Sequence, residues 1–304
     1  MGFAVQEGFI PFRGFRTWYR IVGEREDDGQ FPLLCLHGGP GTPHDYLEPL
    51  EAIARTGRRV IFYDQLGCGK SDHPHNPALW NTELFVEEVD VVRRFLGLDQ
   101  IHLLGQSWGG FLAQEYMLIK PGGIQSLTLA DTAASTERWI AEANRLRAEL
   151  PSEVQETLRK HEESGTTSDP AYASATEVYY RRHLCRLEPW PDCFQRTLEQ
   201  LDRDPEVYNT MWGPSEFYCT GRLQNWNIEG RIGEIDRPTL ILSGEFDEST
   251  PAINQVLHQE IQNSEWVLLE GCSHTPHLEA TEQYLKILTG FLSRLEGKAP
   301  SPVT

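Results

Sequence analysis

The sequence is short of basic residues. Lys and Arg number 27 against 45 Asp and Glu, a formal net charge of −18. Nucleic acid and anionic membrane both demand a basic surface, so neither is an expected partner. No apolar run approaches the roughly 20 residues that a bilayer span requires. The opening residues, MGFAVQEGFIPF, lack a basic segment followed by an apolar one, so no secretory signal is visible. Gln6 stands where a myristoylation pattern needs Ser or Thr. A cytoplasmic location is the expectation. The six cysteines are scattered, with no CxxC pair among them. Reduced thiols are expected, in place of a disulfide framework or a zinc site. Internal repeats and low-complexity segments are also missing. The acidic excess suits a cationic substrate such as a free amine, and it also keeps a protein soluble.

What is present fits a globular enzyme. The 304 residues are 39% hydrophobic and 24% charged, enough for one large domain with an insertion. Short strand-like runs recur at 16–22, 32–36, 59–63, 101–104 and 126–130. A helical pattern at 82–96 separates two of them, with apolar residues at Leu84, Phe85, Val89, Val92, Phe95 and Leu96. Strands alternating with helices predict an α/β fold with a mostly parallel central sheet covered on both faces. After Asp131 the rhythm changes. Helical stretches at 137–149 and 152–163 replace the strands, and 165–170 reads as a loop. Strand signal returns at 238–242 and 265–269, each followed by a helical pattern, at 253–261 and 281–295. The expected organisation is a core split into 1–131 and 237–304, interrupted by a helical cap over 132–236. A polar tail over 297–304 is expected to fray. An insertion between two sheet strands can lie over their carboxyl ends, where open α/β sheets bind ligands.

One turn carries chemistry. Gly105-Gln106-Ser107-Trp108-Gly109 fits G-x-S-x-G, and it lies between an apolar strand and a helix-compatible run. The pattern alone also arises in ordinary turns; the flanking elements are what the motif requires. The turn is sharp, so small residues are needed two before and two after Ser107. A serine hydroxyl is a weak nucleophile and needs a base. In this arrangement the acid and then the histidine follow along the chain. Asp247 lies just past the strand at 238–242, and His274 just past the strand at 265–269. His274 would take the serine proton, and Asp247 would hold its tautomer. His277 is the nearest rival base. An oxyanion needs two backbone donors: the N–H of Trp108, and one from the loop His37-Gly38-Gly39-Pro40-Gly41, at Gly38 or Gly39. No metal or cofactor enters this chemistry. His37, Asp64, Gln65 and Ser71 read as loop braces.

The segments HGGPG (37–41), YDQLGCGKSD (63–72), GQSWGG (105–110), SGEFDE (243–248) and GCSHTPHLE (271–279) resemble the proline iminopeptidase family. That family has the α/β-hydrolase fold and includes tricorn-interacting aminopeptidases and amino-acid amide hydrolases. The match runs along the whole core and is weaker through the cap. Many members have Arg in DQRGxGxS where this chain has Leu66, which leans toward the amide-hydrolase and tricorn-factor-like branch. The resemblance implies release of an N-terminal residue from a short peptide or amino-acid amide, and therefore recognition of a free α-amine. It implies Glu248, next to Asp247, and Glu216, in a GPSEF-like cap segment, for that task. Two carboxylates would hold an ammonium by charge-assisted hydrogen bonds. Glu245 is a further candidate. Among the crowded cap aromatics, Tyr208, Trp212 and Phe217 stand nearest Glu216 and are candidates for the side-chain pocket. An esterase or lactonase would use the same triad, since fold does not fix substrate.

Overall fold

A computed structural model describes residues 3–27 and 29–299. Residues 300–304 of the expected polar tail lie outside the described residues. Among these residues eight strands form one sheet: β1 (Val5–Phe12), β2 (Phe15–Val22), β3 (Leu33–Leu36), β4 (Val60–Tyr63), β5 (Ile101–Gln106), β6 (Ile124–Ala130), β7 (Thr239–Gly244) and β8 (Ser264–Leu269). Their order is β1-β2-β4-β3-β5-β6-β7-β8. β1 and β2 form an antiparallel hairpin, and β2 joins β4 antiparallel. All pairings from β4 across to β8 are parallel. The sheet is mostly parallel, as the alternation of strand and helix predicts.

β3 (LLCL) and β4 (VIFY) are buried on both faces, which is why they read as unbroken apolar runs. Leu34 and Leu36 face one core with Leu103 and Leu127, against α1 (Thr82–Phe95) and α2 (Trp108–Leu118). Leu33 and Cys35 face the other core with Val60 and Phe62, near the 3₁₀ segment His44–Thr56. β1 was not foreseen. Its sequence VQEGFIPF contains Gly8 and Pro11, which weaken a strand pattern. Proline is tolerated there because β1 is an edge strand.

Between β6 and β7 the chain forms α3 (Thr136–Arg147), α4 (Ser152–Ser164), α5 (Pro170–His183), α6 (Asp192–Arg203) and α7 (Glu206–Met211). No strand occurs there among the described residues. Salt bridges from Arg196 on α6 to Asp45 and Glu48 seat this insertion on the 3₁₀ segment. After β7 come α8 (Pro251–Glu260), α9 (Pro276–Glu279) and α10 (Thr281–Leu295). Among the described residues no helix is long and apolar enough to cross a membrane.

The end of α10 is anchored by a buried ion pair. Glu296 takes two hydrogen bonds of 2.8 Å from the Arg58 guanidinium and lies 3.1 Å from Nε2 of His102. Burial opposes ionisation of Glu296, but these bonds outweigh it and hold the carboxyl down at about 2. A depressed carboxyl stabilises the fold above its unfolded value and loses that contribution as pH falls through the folded one. Glu296→Gln should therefore cost about 3 kcal/mol at neutral pH. The difference from wild type should shrink as pH falls from about 4.5 toward 2, followed by urea unfolding across pH.

Candidate active site

β5 ends in the turn that carries Ser107. Its backbone sits at φ 56°, ψ −124°, an unfavourable conformation for a residue with a side chain. The turn holds because its flanks are glycine. A Cβ at Gly105 would lie 2.1 Å from the Gly109 carbonyl oxygen, and one at Gly109 would lie 2.1 Å from that of Leu36. Thr132 Oγ1, two residues past β6, donates to the Ser107 carbonyl at 2.8 Å and fixes the turn. Gly109→Ala should destabilise the protein by more than about 3 kcal/mol, since backbone must move to admit the methyl. Thermal unfolding checks this; an unchanged midpoint would contradict the geometry.

β7 and β8 deliver the other two groups. His274 Nδ1 lies 2.7 Å from Oδ1 of Asp247, and both side chains are buried. The same oxygen accepts the Ser249 N–H at 2.8 Å. A carboxylate on Nδ1 places the proton there and leaves Nε2 free as base. Ser107 and His274 line one cavity of about 330 Å³. His274 is also held through its backbone: its N–H donates to His183 C=O of α5, and its carbonyl accepts from the Gln106 side chain. His277 is excluded as base. It is buried away from the cavity, with Nε2 against the Tyr46 carbonyl, and burial pushes it down to about 3.

The glycine loop is held by side chains from below. His37 Nε2 accepts the Gln65 N–H at 2.9 Å, and Nδ1 faces the Gly38 carbonyl. Burial lowers its ionisation to about 4, so it is a neutral brace. Gln65 itself accepts from the Trp108 indole at 2.9 Å. Asp64 accepts the N–H groups of His44 and Lys70, while Ser71 Oγ accepts that of Trp18. The loop also separates the two expected donors. The Gly38 N–H already donates to the Tyr46 hydroxyl at 2.7 Å, and that hydroxyl donates to Gln106. Gly38 is therefore a spent donor, which corrects its assignment. Among the described residues nothing accepts the Gly39 N–H, and Trp108, first in α2, has no acceptor within its helix.

Two further carboxylates stand beside this pair. Glu248 is fully buried, and neither of its oxygens has a well-formed hydrogen bond. Its Oε1 lies 3.9 Å from His274 Nε2. Glu216 lines the cavity and accepts the Tyr208 hydroxyl at 2.6 Å. Burial pushes both carboxyls up. The charges of Glu216 and Asp247 add to the rise at Glu248, while the Tyr208 bond opposes it at Glu216. No Lys or Arg is bonded to either among the described residues. Glu245 is different: it is exposed and accepts the Gly271 N–H, bracing a turn.

The pocket aromatics divide. Tyr208 lines the large cavity, and Trp212 lines a small one of about 10 Å³ that Ser107 also lines. Phe217 lines neither. It packs 4.8 Å from Tyr179 and beneath the Arg147 guanidinium, so it is a packing residue of the insertion. The small cavity is completed by Gly39, Trp108, Phe111, Trp139 and Glu216. Phe111, Trp139 and Tyr46 were missed. Phe111 lies four residues past Ser107 on α2, the one signal that could have found it.

The α/β-hydrolase fold family model matches residues 32–281. A proline iminopeptidase of Lactobacillus helveticus is 41% identical over 95% of this chain and 98% of its own length. The chain belongs to the proline iminopeptidase family. Solved structures agree: that of a Mycobacterium smegmatis proline iminopeptidase superposes with a TM-score of 0.89 at 38% identity, covering 96% of this chain and 99% of the other. The crystal structure of VinJ superposes with a TM-score of 0.91 at 40% identity, covering 95% and 99%. Within the proline iminopeptidase family this chain's Leu66 is buried, and its N–H donates to the buried carboxylate of Glu88.

Proposed function

We propose that the protein is a serine aminopeptidase that releases N-terminal proline from short peptides, and also hydrolyses simple amino-acid amides. One observation carries the reading: two carboxylates with no Lys or Arg bonded to them, the half-buried Glu216 and the fully buried Glu248, stand beside the His274–Asp247 pair. A buried carboxylate without a well-formed hydrogen bond, as at Glu248, is costly unless something positive docks on it. A substrate ammonium meets that need.

The geometry supports the following roles. Ser107 Oγ attacks the scissile carbonyl while His274 Nε2 takes its proton. Asp247 stabilises the imidazolium through Nδ1. The developing oxyanion is held by the N–H groups of Gly39 and Trp108. His274 then gives the proton to the leaving amine. Water, activated by the same histidine, hydrolyses the prolyl ester on Ser107. Glu216 and Glu248 hold the imino nitrogen, and the pyrrolidine ring lies toward Phe111, Trp139 and Trp212. The helical insertion acts as a cap, and the rest of the peptide leaves through the larger cavity.

Hydrolysis of prolinamide, phenylalaninamide and p-nitrophenyl acetate separates this from an esterase or lactonase with the same triad. Prolinamide should be the best amide, and the amides should be turned over efficiently. Rapid turnover of the ester with no amide hydrolysis would overturn the assignment.

A further inference from the structure

A second aspartate lies against the triad acid. Asp131 is the residue directly after β6, and Asp247 follows the neighbouring strand β7. Asp131 is fully buried and is held at φ 50°, in the left-handed region. Its N–H donates to the Leu242 carbonyl at 2.8 Å, which pins the backbone to β7. Three oxygens are left over. Both carboxyl oxygens of Asp131, and Oδ2 of Asp247, are buried without a well-formed hydrogen bond. Oδ1 of Asp247 is occupied by His274 and Ser249. Two ionised carboxylates in contact, dry and without a cation, would repel strongly. A single proton between them removes the repulsion and supplies the missing donor.

We propose that Asp131 is a positioning residue for the triad: its carboxyl stays protonated and donates an O–H···O hydrogen bond to Oδ2 of Asp247. The groups acting on Asp131 agree with a neutral acid. They are the carboxylates of Asp247 and Glu279, the phenols of Tyr46 and Tyr284, and the Gly244 N–H. None is a cation. Burial, followed by the charge of Asp247, pushes the Asp131 carboxyl well above the usual carboxylate range. The donated bond fixes the Asp247 carboxylate in the plane that meets His274. It also draws charge from that carboxylate, so His274 gains a proton less readily.

This role rests on Asp247 and His274 serving Ser107, and the test keeps the two questions apart. The rate of covalent labelling of Ser107 by a fluorophosphonate is measured against pH for wild type, Asp131→Asn and Asp131→Ala, with the thermal midpoint of each. Labelling needs no knowledge of the substrate. Absence of wild-type labelling would sink the triad itself. With wild type labelled, Asp131→Ala should lose about tenfold in rate, and the acid limb should move up by about one pH unit, the equivalent shift. Asp131→Asn, whose amide N–H can donate to Oδ2, should restore most of the rate and return the limb toward wild type. An Asp131→Ala profile superimposable on wild type, or an Asn variant as impaired as the Ala one, would overturn the proposal. A lowered thermal midpoint with an unmoved acid limb would assign Asp131 to stability alone.

Discussion

Ser107→Ala should reduce kcat/KM for a prolyl arylamide by at least about 10⁴-fold, leaving the fold intact. The change removes a single oxygen that lines the cavity. The strained backbone at Ser107 is imposed by Gly105, Gly109 and the Thr132 bond, not by the hydroxyl. Thermal stability should therefore stay level or rise slightly. What disappears is the nucleophile, and with it covalent catalysis. Residual activity would come from binding and the oxyanion donors alone. Substrate affinity should be nearly unchanged, since the ammonium site does not involve the hydroxyl. Steady-state kinetics with calorimetric binding on the inactive variant checks both halves. Retention of more than about one per cent of activity would place the nucleophile elsewhere.

Glu248→Gln and Glu216→Gln should each lower kcat/KM for free-amine substrates by about 10²-fold or more. An amide is close in shape to the carboxylate, so packing is kept while the charge that faces the ammonium is lost. Glu248 should show the larger effect, because it is fully buried and neither of its oxygens has a well-formed hydrogen bond within the protein. Glu216 keeps its Tyr208 contact in either form. The ratio of rates for free and N-acetylated substrates should fall in both variants. The pH dependence has a definite sign. Burial raises both carboxyls, so in the empty site they take up protons at higher pH than ordinary glutamates do. Only the ionised form holds an ammonium. KM for free-amine substrates should therefore rise as pH falls, starting above the ordinary carboxylate range, and this rise should be blunted in Glu248→Gln. A pH-independent KM would contradict an ammonium site built from these two residues.

Much of the architecture was legible in the sequence. β5, α2 and the turn between them depend on local spacing, and the strands that deliver Asp247 and His274 are short, largely apolar runs. Those signals survive without knowledge of tertiary contacts. The features that escaped depend on contacts between segments distant along the chain. Gly38 and Gly39 are equivalent as sequence, and only the Tyr46 hydroxyl, eight residues on, distinguishes them. Phe217 is adjacent to Glu216, yet its side chain turns away into the insertion, while Trp139 from α3 reaches the small cavity. Asp131 looks like an ordinary strand-end residue until β6 and β7 are paired. β1 was hidden because an edge strand tolerates the glycine and proline that disguise it.

The most direct test of the account is one ratio on the wild-type enzyme: kcat/KM for a prolyl arylamide against its N-acetyl derivative. Two carboxylates left facing an uncharged acetamide should make the blocked substrate worse by about 10³-fold or more. Comparable rates for the two would contradict recognition of the free amine by Glu216 and Glu248.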